Sequence, residues 1–353
     1  MEMKRMAAPI RIHGRELKPH KATVNPRLGT RTVLTNSHWE YVTLWLKREH
    51  KKSALFFWQQ AQTFAQAAEG MPIASAPLLL YYSFMNATKA LLSAKGVTFD
   101  EHHGVRAHNT RGPSSKIALS NEGVRLMQRG IAPSLSQYLH ELESQSAHSL
   151  ESLLFNLPCI HRTFCITYTQ QQDMFIPLTD CKFIYDHASG TGHFSANLSE
   201  DFIGSKFLRR LPATFAPDPL LNDGRRIRSV ASFPLASEFL RSTHDIDAAS
   251  SLLRSLRPDL HYLAGSQTLW YVKAVVPGPA RLQRSPLTCT LLAMHRLSEI
   301  CRYRPIELAS FLSGQKNWLL TEFIRMSPLQ LLDEISAELT GQQFMIPNTR
   351  PAT

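Results

Sequence analysis

The period of apolar and polar positions changes along the chain, and each change predicts a different kind of element. Residues 1–36 show no helical period and carry Pro9, Pro19 and Pro26, which predicts an extended arm. A helical period then begins. Ser37 precedes a short helix holding Trp39, Tyr41, Leu44 and Trp45. Ser53 precedes another, with Phe57, Ala61, Phe64 and Ala68 on one stripe. Ser75 and Pro77 open a third that runs through Leu78, Tyr81, Tyr82, Met85 and Leu92 to a stop at Gly96. That helix is apolar on most of its circumference, so it should lie at the centre of a bundle.

A polar loop follows over 97–116. Beyond it the pattern predicts a short strand at Val124–Met127, a helix near Ser134–Leu142 and another capped by Ser149. From Thr163 to Val276 the period shortens. Phe164, Ile166 and Tyr168 alternate with polar residues. Lys182–Tyr185 and His193–Ser195 flank Ser189-Gly190-Thr191-Gly192, which reads as a β-hairpin, and Leu269–Val276 reads as a strand. From Ser285 the helical period returns, with further helices after Pro305 and from Ser327-Pro328. The expected fold is mainly α with an α+β insert. Its parts are a basic arm over 1–36, a helical domain over 37–160, the insert over 161–280 and C-terminal helices over 281–353.

Composition agrees with a packed chain: 43% of residues are hydrophobic and 19% charged. No window approaches the ~18 apolar residues of a membrane span, and the basic N-terminus has no apolar block behind it. A cytoplasmic protein without a membrane partner is expected. The five cysteines form no CxxC pair, so neither a disulfide framework nor a thiolate zinc site is expected.

The charge adds a partner class. Formal net charge is +11, and residues 1–60 hold 12 basic groups against four acidic ones. A surplus of this kind favours polyanions. Lys51 and Lys52 lie in this segment, and a second focus gathers Arg209, Arg210, Arg225, Arg226 and Arg228. These seven are the candidate nucleic-acid contacts.

Candidate chemistry is sparse. Asp100-Glu101-His102-His103, with His108 nearby, is the densest set of possible ligands, but a metal site needs three or four groups that converge. No metal and no cofactor is expected. His102, His103 and His108 are instead the candidates for any proton transfer. Asn86 and Lys89 stand one turn apart on the apolar helix, so they form a candidate polar pocket. No GxSxG or HExxH occurs. Ser189–Gly192 lacks the helix and lysine of a phosphate loop.

Three blocks resemble the YaaC-like family of bacterial proteins: SAPLLLYYSFMNATKALLSAKG with HHG after it, GIAPSLSQYL with HSLESLLFNLPCI, and LLAMHRLSEICRYRP. The first also resembles the HEPN domain, a helical bundle found in RNA-cleaving toxins and antiphage systems. That resemblance implies a HEPN-like bundle, pairing into a homodimer and a place in antiphage defence. It also implies a histidine and an arginine acting on RNA. Leu79 stands where the arginine belongs and Asn86 where the histidine belongs, and neither can hold a proton or a charge for that role. The three R-x4–6-H matches elsewhere, Arg15/His20, Arg31/His38 and Arg254/His261, are as many as chance provides. The expected function is therefore non-catalytic binding of nucleic acid, RNA ahead of DNA, or of a partner protein. The alternatives are a ribonuclease with a non-standard site and a scaffold that makes no nucleic-acid contact.

Overall fold

The computed structural model describes residues 7–345 apart from 113, 220–222, 266 and 278–280. In chain order, β1 (Ala7–Pro9), β2 (Arg11–Ile12), β3 (Arg15–Glu16) and β4 (Val33–Leu34) lead into α1 (His38–Arg48), α2 (Lys52–Ala68) and α3 (Ala76–Ala94). Then come β5 (Val105–Asn109), β6 (Glu122–Leu126), α4 (Ile131–Tyr138), β7 (Ala147–Ser149), α5 (Leu150–Phe155) and α6 (His161–Thr167). The middle of the chain forms β8 (Phe175–Asp186), β9 (Thr191–Leu198), α7 (Ser205–Leu208), β10 (Phe215–Pro217), β11 (Arg226–Ser229) and β12 (Phe233–Pro234). After these, α8 (Thr243–Leu256), β13 (Leu260–Leu263) and β14 (Leu269–Lys273) precede α9 (Pro286–Tyr303), α10 (Pro305–Ser313), α11 (Asn317–Thr340) and β15 (Phe344–Met345).

The mainly α expectation is overturned. Of the described residues 43% are helical and 19% lie in strands, most of the latter in one large antiparallel sheet, and the contacts divide the chain into two units. One takes Met1–Leu34, Asp173–Pro277 and Gly341–Thr353; the other takes Thr35–Gln172 and Gly278–Thr340.

The first unit is built on an eight-stranded sheet in the order β10-β11-β9-β8-β14-β13, with β1 also on β8 and β12 on β9. Its centre is the β8–β9 hairpin. Asp186 Oδ1 accepts from the Ala188 amide, and Gly190 (φ +65°) supplies the left-handed turn. Of the segment expected as an arm over 1–36, residues 7–34 are part of this sheet unit, and residues 1–6 lie outside the described residues. Pro9 pairs with Ile184, and Ile10, Ile12 and Leu17 are buried in its core. The prolines did not prevent this, because strands of two or three residues need few ladder bonds. One helix, α8, covers the core with Ala249, Leu252, Leu253 and Leu256, and a reciprocal Ser242/Asp245 cap starts it.

The second unit is helical around α3 and α9, with a three-stranded sheet β5-β6-β7. α3 buries all but four of its 19 side chains, since no stripe of it is polar enough to face water. Ser37, Ser149 and Ser285 each accept an amide from the first turn of their helices. Four details differ from the sequence pattern. The stretch expected as a polar loop over 97–116 contains β5, paired with β6. Ser53 is not a cap, because α2 starts at Lys52 with no side-chain cap. Phe164, Ile166 and Tyr168 belong to α6 and its end, not to a strand. Ser327-Pro328 opens no helix, because α11 runs through Pro328, with Leu319, Phe323 and Ile324 buried before it and Leu331 and Ile335 after it. That burial outweighs one lost helical bond. No helix among the described residues is long and apolar enough to cross a membrane.

Candidate functional site

The site lies in the helical unit, where α3, α9 and the β5–β6 hairpin converge. It starts from the turn His102-His103-Gly104. The carbonyls of His102 and His103 accept the amides of Ile131 and Ala132, two of the unpaired donors that begin α4. The approach requires glycine. Gly104 has φ +69°, and a Cβ there would lie 2.5 Å from Pro133 Cδ and 2.7 Å from the Arg129 carbonyl.

Docking of this turn places His103 against α3. Its Nδ1 lies 2.6 Å from the Tyr81 hydroxyl. The His295 ring, from α9, meets the Tyr81 ring edge-on at 4.9 Å and stands 5.8 Å from the ring of His103. Burial, then the charges of Lys89, Arg302 and His102, hold His103 below the usual histidine range. Burial pushes His295 down to about 3, with His103 and Arg296 adding to it. Both rings are therefore neutral at neutral pH. Burial pushes the Glu299 carboxyl upward, and Arg296 and Arg302 only partly oppose this. Glu299 Oε2 is 3.6 Å from His295 Nδ1.

Next to this cluster sits a buried ion network. Glu122, on β6, has a side chain only 1% exposed. It accepts from Arg296 at 2.6 Å and from both terminal nitrogens of Arg304 at 2.9 and 2.8 Å. Arg304 also pairs with Glu307, and Arg296 with Glu299 at 3.2 Å. Burial alone would raise the Glu122 pKa, but the bonds from Arg304 and Arg296 outweigh it and hold the carboxyl below the usual range. A groove of about 610 Å³ opens over the network, lined by His108, Asn109, Arg296, Glu299, Tyr303 and Arg304.

The candidate residues read from sequence scatter over several places. His102 is exposed, and its Nδ1 accepts the Gly104 amide. His103 enters the Tyr81 cluster, and His108 lines the groove on β5. Burial, then Arg125, Arg106 and Arg296, lower the pKa of His108. The three histidines have different neighbours and share no ligand position. Asn86 donates to the Tyr82 carbonyl at 2.8 Å, and the Lys89 ammonium lies 5.2 Å over the Phe57 ring. Among the arginines, Arg226 donates to Asn197, Arg228 pairs with Asp186 at 3.6 Å, and Arg210 donates to the Val275 and Asp173 carbonyls. Arg209 is exposed, and its Nε donates to the Ser205 carbonyl. The Arg225 amide is held by Asp223. Lys51 and Lys52 are exposed on the turn between α1 and α2.

Sequence reading missed Glu122, Arg296, Arg304 and His295. One signal was present: LLAMHRLSEICRYR sets His295, Arg296, Glu299, Arg302 and Arg304 into an apolar helical run. Charges on such a helix require partners.

The fold and site define an α+β protein whose buried helix α9 carries an ion network beneath an open groove. The family model for YaaC-like proteins matches residues 22–339, and the chain belongs to that family. No curated protein and no solved structure matches it.

Proposed function

We propose that this chain binds nucleic acid, single-stranded RNA ahead of DNA, without transforming it. One observation carries the reading, the turn between α1 and α2. Lys47, Arg48, His50, Lys51 and Lys52 are all exposed there, and the one carboxylate among them, Glu49, pairs with Arg48 at 2.9 Å. α2 begins in this turn with no side-chain cap and no acidic residue in its first turn, so its positive end stays available to an anion. Phe56, one turn after Lys52, is 57% exposed. Cations beside an exposed ring suit an unstacked strand, whose phosphates meet lysine and whose bases meet the ring. Unpaired bases are more common in RNA, which is why RNA is favoured.

The overall surplus of charge carries less weight. Among the described residues the sheet unit has 17 Lys and Arg against 12 Asp and Glu, and the helical unit 19 against 15. Density at one turn is therefore the better guide than the total.

The test is fluorescence anisotropy with a labelled single-stranded 15-mer at several salt concentrations. Three phosphate contacts contribute about 2 to the slope of log K against log salt. Lys47, Lys51 and Lys52 changed together to Glu should remove that much slope and weaken binding at least about ten-fold at low salt. Arg228→Ala should change it less, because Arg228 already faces Asp186. A flat salt response, or a charge-reversed variant that binds as the parent does, refutes the reading. A co-purifying polypeptide that RNA does not displace would support a protein partner in its place.

A second reading, cleavage of the strand, has one observation in its favour. A histidine and an arginine each reach α3 one turn before Asn86, on neighbouring tyrosines: His103 on the Tyr81 hydroxyl, and Arg302 on the Tyr82 hydroxyl at 2.9 Å. A neutral imidazole can take a proton from a 2′-hydroxyl, and a guanidinium can hold phosphate charge. Long incubation of RNA with the parent and with His103→Ala separates the two readings. Cleavage by the parent alone establishes a ribonuclease, and intact RNA in both leaves binding.

A further inference from the structure

We infer that the groove between β5 and α9 is a small-molecule site for a mononucleotide, with the phosphate on the Arg296–Arg304 floor and the base on the Tyr303 ring. It is distinct from the α1–α2 turn and does not depend on it.

Shape comes first. A concavity of about 610 Å³ falls within the range of small-ligand sites, about 300–1,000 Å³. It is larger than a bare phosphate requires.

The floor supplies the anion contact. Glu122 fixes both guanidinium groups from below, so neither must be ordered when a ligand arrives. Arg296 is 5% exposed and already bonded to Glu122 and Glu299. Arg304, 31% exposed in its side chain, is the guanidinium that a phosphate oxygen in the groove can reach, in the planar geometry that guanidinium favours.

Charge points the same way. Arg296 and Arg304 line the groove with Glu299, and the charges of Arg125 and Arg106 reach His108 in its wall. Glu299 is already paired with Arg296 at 3.2 Å.

The rim supplies the base contact. Tyr303 lines the groove yet is 68% exposed, and the Arg302 guanidinium lies 5.2 Å from its ring centre. An exposed ring braced by a cation is a stacking surface for a flat heterocycle. Asn109 and His108 add polar side chains on the β5 wall, suited to sugar or base edges.

Isothermal titration of the full chain with AMP, adenosine and inorganic phosphate tests this. AMP should bind about ten-fold or more tightly than either of the others, because only AMP reaches both floor and rim. Tyr303→Ala, a change at an exposed position that should fold, should remove that advantage while leaving phosphate binding as it was. Arg304→Gln should weaken AMP and phosphate alike. Changing Lys51 and Lys52 to Glu should leave AMP binding intact even where it abolishes RNA binding. AMP binding no tighter than phosphate, or unaltered by Tyr303→Ala, overturns the inference. RNA binding without AMP binding overturns it too, and leaves the RNA reading standing.

Discussion

Glu122→Gln should destabilise the helical unit by about 3–5 kcal/mol, more than its size or its chemistry as a surface substitution would lead one to expect. The carboxylate is almost wholly buried and is the shared acceptor of Arg296 and Arg304. Glutamine keeps the shape but removes the charge, so Arg296 and Arg304 lose the buried carboxylate they share and keep only the partly exposed Glu299 and Glu307. Arg296, 6% exposed in its side chain, cannot turn to water. Removing one member of a buried pair costs far more than the pair contributes, because the remaining charge stays desolvated. The control is Glu307→Gln. Glu307 pairs with Arg304 where solvent reaches both, so its loss should cost at most about 1 kcal/mol. Urea unfolding followed by far-ultraviolet circular dichroism reads both variants. Equal midpoint shifts for the two would show that burial of Glu122 does not matter.

The same network shows where sequence reading ends. α3 was legible because its signal is local: nearly every position is apolar, Pro77 opens it and Gly96 closes it. The β8–β9 hairpin was legible for the same reason, since alternation and a glycine turn lie within a few residues of each other. The Glu122–Arg304 pair joins residues 182 positions apart. A five-residue strand reading EGVRL says nothing about which cation will meet its glutamate. His103 was a candidate from its neighbours in sequence, yet what defines it is Tyr81 and His295, which come from two other elements. The mainly α expectation failed on short strands. Ile10, Ile12 and Leu17 alternate over too few residues to show a period, and their partners lie on β8 and β9, far along the chain. Lys51 and Lys52 were legible as charges, but not their exposure on one turn beside the uncapped start of α2.

Stability should also fall steeply as the pH drops from about 6.5 toward 4, and histidines rather than carboxylates should set that slope. Among the described histidines, three have the largest shifts. Burial, with Arg257 and Lys21, pushes His20 down to about 3. Burial and Arg284 push His148 to about 4, against the opposing pull of Glu143. His295, facing Tyr81, His103, Arg296 and Glu299, is held at about 3. Each has a folded pKa below its unfolded value near 6.5, so the unfolded chain takes up the proton first. The contribution is complete above pH 6.5 and is lost as pH falls toward the folded value. By pH 5 each histidine should have cost about 2 kcal/mol, at about 1.4 kcal/mol per pH unit. Glu122 and Glu143, both lowered, add loss in the same direction only below about pH 4.5. Glu299, whose pKa is raised, has the opposite sign: its contribution is present at low pH and is lost as pH rises through its folded value. It therefore offsets part of the His295 effect within the helical unit. Urea midpoints measured from pH 8 to pH 4.5 should be level above pH 7 and should then decline. In His148→Gln the decline should be shallower by about one proton, because that ring no longer distinguishes the folded from the unfolded chain. A midpoint that stays level down to pH 5 would mean that these rings are hydrated or already charged in the native protein, and the packing described around Tyr81 would then be wrong.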